Sequence, residues 1–466
     1  MRSIIMAELR SAWTAWFAVI LAFIATSFAI ILPLLAWVGV EDTIATGLVP
    51  EMDVPALRFL PIWNLALALL AALNIIGAVT GLVVESRRGA LARLALAGAT
   101  PGQVSRILLA QLAVVAAVGG VIGGVFAIVA VPAAVSMAVG DRGIDESVVV
   151  ARPDLVMALV GLVGFIVLAM VAGLRQSRVA AAVPAVEALR TIPGASVRRR
   201  RIGRWVGAFL LALLIAGIAA STFAMAPQLG VDSADMVLQS SLICLLLTGS
   251  FLSVCAPLTI GLLTKAWTAL VPSRSGPWVL ARASVIAKGE RLARTVTPIM
   301  FSVGVLFGLG VLLASTSALL RSLGRDGLEQ AGMSTLLVFV GLVLLVAIAG
   351  GVSVLLMMSR QREAELALAG VVGATTRQQV LMSVLEGLVI TGTAMILGLA
   401  MTVVGMVVFV IGMGALGLVT PVVVPWHVLA AVLGVCALIT VAATTLPVLP
   451  SLRRSARTVV AQLAAE

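Results

Sequence analysis

Long apolar runs, each of a length that can cross a bilayer, alternate with short polar connections along the whole chain. They are Trp13–Val40, Leu60–Val84, Val104–Ala138 and Val156–Leu174, then Val206–Met225 and Val237–Leu270, then Thr295–Leu320, Thr335–Met358, Gln379–Met413 and Val422–Val448. The pattern predicts an all-α polytopic membrane protein, with ten transmembrane helices in two four-helix halves joined by two extra helices. The first run is too long for a secretory leader and reads as an uncleaved span. Val104–Ala138 is long enough to project beyond the bilayer. An even number of spans puts both ends on one side.

Two of the polar connections are alike. Glu85–Gln111 reads ESRRGALARLALAGATPGQVSRILLAQ, and Arg360–Glu386 reads RQREAELALAGVVGATTRQQVLMSVLE. At one constant offset Arg87 pairs with Arg362, Leu91 with Leu366, Gly98-Ala99-Thr100 with Gly373-Ala374-Thr375, Gln103 with Gln378 and Gln111 with Glu386. A repeat at this distance marks a duplicated half rather than a short-period solenoid. Each copy reads as a short amphipathic helix that ends in a glycine turn. Leu91, Leu94, Ala95 and Gly98 share one side in the first, flanked by Arg87, Arg88 and Arg93. Ala364, Ala367, Leu368, Val371 and Val372 do so in the second, with Arg362, Glu363 and Glu365 around them. Gly98 and Gly373 suit the left-handed backbone that stops such a helix. An apolar stripe on a turn between spans needs either the lipid interface or a partner's groove.

Composition and charge narrow the class. The chain is 61% hydrophobic and 11% charged, which no soluble domain matches. A net charge of +11 would suggest nucleic acid in a soluble protein, but here loop asymmetry explains it and no nucleic-acid partner is expected. The proposed external connections hold five arginines (Arg58, Arg142, Arg152, Arg321, Arg325) against twelve Asp and Glu, while the rest of the chain is strongly basic. That segregation predicts cytoplasmic termini. Trp13, Trp37, Trp63, Trp205, Trp267 and Trp426 fall near predicted span ends, where indole prefers to sit. The basic run Arg198–Arg201 reads either as a headgroup contact or as a stop-transfer anchor.

The repeated arginine–x–x–x–leucine and Gly-Ala-Thr-x-x-Gln elements, set between two spans in each half, resemble the FtsX-like/MacB-type permeases of ABC transporters. In that family the segment is the coupling helix, which docks into a groove of a separate ATPase. The resemblance implies coupling roles for Arg87, Arg88, Leu91, Leu94, Gly98, Ala99 and Thr100, and for Arg362, Glu363, Leu366, Leu368, Gly373, Ala374 and Thr375. It divides the chain into residues 1–190 (first half, coupling helix 85–100), 191–272 (linker with two spans) and 273–466 (second half, coupling helix 360–375). Pro184–Arg190 and the fainter Val459–Leu463 are similar to the ending of each half in the family. The ten-span total resembles the bacitracin-resistance (BceB-like) permeases, but without their large external domain. By the same resemblance, two ATPase copies would bind ATP and Mg²⁺, and this chain would need no cofactor. The place would be a bacterial plasma membrane, with export or antimicrobial-peptide resistance as the role. The copies differ at Gly89-Ala90 against Ala364-Glu365 and at Arg88 against Glu363, which predicts a weaker grip by the first.

Other chemistry is sparse. The chain has no phosphate-cradling glycine loop with its lysine, and no catalytic carboxylate pair, thiol or serine constellation. Cys244, Cys255 and Cys436 sit in apolar runs as small core residues, and His427 has no partners for a metal site. Gly119, Gly120, Gly123 and Gly124 form two overlapping small-xxx-small pairs, and Ala394 with Gly398 keeps one in the second half, which predicts close helix packing. Glu386, opposite Gln111, is the main charged residue inside a span and is assigned a structural role near the cytoplasmic surface. The lack of midplane polar groups disfavours an ion-driven carrier. An ATP-driven extractor of amphiphiles from the bilayer is therefore expected. The rival class is a signalling module whose motion is read by a sensor or cell-wall enzyme.

Overall fold

The structure is a computed structural model, and it describes residues 13–51, 54–86, 98–140, 149, 152–181, 197–229, 234–273, 275–287, 290–323, 329–357, 370 and 373–445. These form eleven helices, with no strand among the described residues. In order they are α1 (Trp13–Ala45), α2 (Val54–Ser86), α3 (Pro101–Gly140), α4 (Leu155–Ala181), α5 (Val197–Leu229), α6 (Ala234–Ala269), α7 (Gly276–Ala287), α8 (Glu290–Ser322), α9 (Glu329–Met357), α10 (Thr376–Ala415) and α11 (Trp426–Thr445). Among the described residues, eight helices hold an apolar stretch long enough to cross a membrane. Two more, α9 and α11, hold the shorter apolar stretches Gly341–Ser353 and Leu429–Ala442. The protein is an all-α, polytopic membrane protein.

The helices are apolar nearly all round, as lipid-immersed helices are. Trp205, Phe209, Leu210 and Leu213 of α5 and Leu155, Leu159, Val163 and Val167 of α4 are exposed. In water such surfaces would associate; in hydrocarbon they are solvated. Buried hydroxyls bond back to the carbonyl four residues earlier: Thr80 to Ile76 at 2.6 Å, Thr248 to Cys244 at 2.6 Å and Thr440 to Cys436 at 2.7 Å. This supplies the partner that lipid does not.

The chain divides into two compact units. One comprises Met1–Arg199 with Leu313–Gly350, the other Arg200–Leu312 with Gly351–Glu466. In the first unit α1 packs on α2, α3 and α4, and α3 packs on α4. The predicted glycines lie in these seams. A Cβ on Gly119 would sit 2.8 Å from Phe23 Cβ, and one on Gly123 would overlap Ser27 Oγ and lie 2.5 Å from the Ile24 carbonyl. The Ser27 hydroxyl donates to the Gly119 carbonyl at 3.1 Å. Gly120 turns the other way, towards Leu162 at 2.5 Å, while Gly124 has only Ile31 at 3.4 Å. The Phe23 and Phe165 rings meet edge to face at 5.6 Å. Asp154 caps α4, accepting from the Val156 amide at 2.7 Å.

In the second unit α10 is the common partner of α6, α7 and α11. A Cβ on Gly398 would lie 2.9 Å from the Gly304 nitrogen of α8, so these backbones nearly touch. Ala394 is fully buried one turn earlier. Thr393 accepts from Trp267 Nε1 at 3.0 Å and meets Thr264 at 3.2 Å, joining α10 to α6. Helix α7 buries Trp278, Ala281 and Val285. Its Arg282 donates to Thr268 Oγ1 at 2.9 Å and to the Lys265 carbonyl at 3.3 Å, holding the C-terminal end of α6.

Candidate functional site

The Gly-Ala-Thr-x-x-Gln repeat becomes one local structure built twice. Gly98 has φ +91° and Gly373 has φ +102°, in the left-handed region that glycine enters without strain. Two residues later a threonine caps a helix. The Thr100 amide donates to Gln103 Oε1 at 2.9 Å, and the Gln103 amide donates to Thr100 Oγ1 at 3.4 Å. The Thr375 amide donates to Gln378 Oε1 at 2.9 Å, and the Gln378 amide donates to Thr375 Oγ1 at 3.3 Å. Each pair is a reciprocal capping box that satisfies two otherwise orphaned backbone donors. Sequence reasoning aligned the two glutamines without assigning them this work. The Thr-x-x-Gln spacing ahead of an apolar run was the available signal.

A second fastening differs between the copies. In the first, Ala99 packs on buried Val104 and Leu108, so the residue before the cap is stapled to the helix it introduces. In the second, position 379 is glutamine. Its Nε2 donates to the Ala374 carbonyl at 3.3 Å, and the Gly373 amide closes the turn on the Gly370 carbonyl at 3.1 Å. One turn is held by apolar contact and the other by an amide.

Each elbow opens a forty-residue helix, α3 or α10. At the α-helical rise each spans about 60 Å, twice the hydrocarbon thickness of a bilayer. Gly98, Thr100 and Gln103 are exposed, as are Gly373, Thr375, Thr376, Arg377 and Gln378. Gln111 and Glu386, the matched pair one helical stretch further on, are buried at 1% and 4% exposure. Arg87, Arg88, Leu91, Leu94, Arg362, Glu363, Leu366 and Leu368 lie outside the described residues, as do Pro184–Arg190 and Val459–Leu463. Among the described residues, no group of His, Cys, Asp and Glu could hold a metal ion.

A family model described as FtsX-like permease C-terminal matches residues 64–180 and again 337–456, together half of the chain. The chain belongs to the FtsX-like permease family. Both matched regions include an elbow and the forty-residue helix that follows it. No curated protein matches the chain. As an FtsX-like permease it is a multi-pass membrane subunit of the ABC-transporter type, a class that works with ABC ATPases.

Proposed function

We propose that this permease couples ATP hydrolysis in a separate ATPase to the movement of an amphiphilic or lipophilic substrate out of the bilayer. One observation carries the proposal: a capped elbow of one geometry stands twice at the head of a long membrane helix. A rigid handle is needed where force enters; a passive connection between spans is not so constrained. In this reading residues 85–100 and 360–375 each seat one ATPase, so one chain serves two copies, which hold the ATP and Mg²⁺. The apolar stripe containing Leu91, Leu94, Leu366 and Leu368 fills the groove, and Arg87, Arg88, Arg362 and Glu363 frame it. The termini and both elbows lie in the cytoplasm of a bacterial cell, following the distribution of arginine and lysine.

The test is reconstitution of the permease with its ATPase in lipid nanodiscs. ATP hydrolysis is expected to rise when lipophilic peptides or lipids are added. Hydrolysis indifferent to every amphiphile, together with a deletion strain that keeps normal efflux but alters envelope-stress signalling, would overturn transport in favour of a signalling role.

A further inference from the structure

The first unit contains a feature that the elbows do not use. An apolar cavity of about 420 Å³ lies among α1, α2, α3 and α9, walled by Phe28, Leu32, Leu60, Ala134 and Leu345. Beside it lies an open apolar groove that reaches Leu21 and Ala349 and shares Phe28, Ala130 and Leu345 with it. From Val40 to Leu21 along α1 the two cover about 29 Å of helix rise. A slot of this length, lined by alkyl groups, suits an extended hydrocarbon chain better than a compact ligand.

One polar side chain breaks the apolar wall. Asn64 lines the first cavity and is 6% exposed, and its Oδ1 has no hydrogen-bond partner. An amide oxygen inside a membrane bundle is costly to leave unmet. It sits on α2 one turn beyond Leu60, towards the end of the slot that holds Val40 and Leu60. That end is external on the charge distribution.

From this geometry we propose that the slot binds a long-chain amphiphile whose head carries a hydroxyl or amide N–H donor. The donor bonds to Asn64 Oδ1, and the chain runs inward between α1 and α3 past Phe28. The proposal deepens the transport reading by naming a binding site, but it concerns binding alone and is tested without ATPase or ATP.

The probe is hexadecanol carrying a mid-chain diazirine, compared with its methyl ether, on the full chain in nanodiscs. Mass spectrometry reads the labelled peptides. The alcohol is expected to label α1 and α3 with an apparent affinity about ten-fold above that of the ether, the difference one hydrogen bond supplies. Asn64→Leu should erase that difference, and Ala134→Phe, which fills the slot, should reduce both probes at least ten-fold. Equal labelling of wild type by alcohol and ether overturns the donor-specific site. Label confined to the outward-facing α4 and α5 overturns the slot itself. Should Asn64→Leu fail to fold, the wild-type comparison of the two probes still decides. Absence of this binding in the wild type, with amphiphile-stimulated hydrolysis intact, would discard the site and leave the transport reading standing.

Discussion

Replacing Thr375 by alanine tests whether the elbow is a handle. The substitution removes the oxygen that accepts from the Gln378 amide at 3.3 Å, and it leaves the bond from the residue-375 backbone amide to Gln378 Oε1, at 2.9 Å, to hold the turn alone. Loss of such a cap costs about 1 kcal/mol. The helix beyond is forty residues long and packed in the second unit, so the fold itself will persist. The cost falls on the turn, which then samples other conformations. If the ATPase grips only the capped turn, its affinity drops about five-fold, since 1.4 kcal/mol is a factor of ten. Thr375→Ser keeps the acceptor and should bind like wild type. Gln378→Ala combined with Thr375→Ala should cost less than the sum of the two, because both delete one box. Thr100→Ala should have the smaller effect, because the Ala99–Val104–Leu108 contact still holds the first turn. The assay is titration of the ATPase onto permease in nanodiscs, with thermal unfolding as the control. Indistinguishable ATPase affinities for Thr375→Ala, Thr375→Ser and wild type, at unchanged stability, would refute the reasoning.

Three further outcomes are expected. Gly123→Ala should lower the thermal midpoint by an amount equivalent to about 1–3 kcal/mol, because its methyl meets the Ile24 carbonyl at 2.5 Å, whereas Gly164→Ala, with nothing within 4 Å, should be neutral or stabilising. Thr393→Val should cost about 1–3 kcal/mol in the same assay, since it leaves the Trp267 indole N–H without its acceptor. In a cysteine-free background, a cysteine at Gly47 should react with an impermeant maleimide on intact cells and one at Gly98 only after lysis; the reverse order would invert the topology.

The apolar runs were enough to predict the all-α membrane fold, because spanning segments must be long, continuous and helical to satisfy their own backbone. The elbow was legible as a repeat, and its glycine as a left-handed turn. The mechanical content was less so: Gln103 and Gln378 matter through bonds to a backbone three residues away, and Gln379 through a carbonyl five away. The division into units was hidden for a different reason. Residues 313–350 pack with the first two hundred, a long-range choice that hydropathy does not encode. Asn64 was invisible as well, since one asparagine in an apolar run gains meaning only from the cavity it lines.

If force enters at the first elbow, as proposed, it has a defined path within its own unit. From Gly102 to Val131 helix α3 contains no proline, so the hydrogen-bond ladder is continuous through the seam at Gly119 and Gly123, where α1 lies at backbone distance. Pro132 follows, removing one ladder bond beside Ala133 and Ala134 of the cavity wall. Helix α10 has no internal proline. In the proposed mechanism a push at Thr100 moves α3 and α1 together through the seam, and α3 bends in the turn from Ile128 to Pro132, where Ala130 lines the slot. Pro132→Ala restores the bond and stiffens that end. ATPase affinity should then be unchanged, while amphiphile-stimulated hydrolysis falls. If Ala134→Phe abolishes stimulation but Pro132→Ala leaves it intact, the slot matters without bending, and α3 acts as a plain rod.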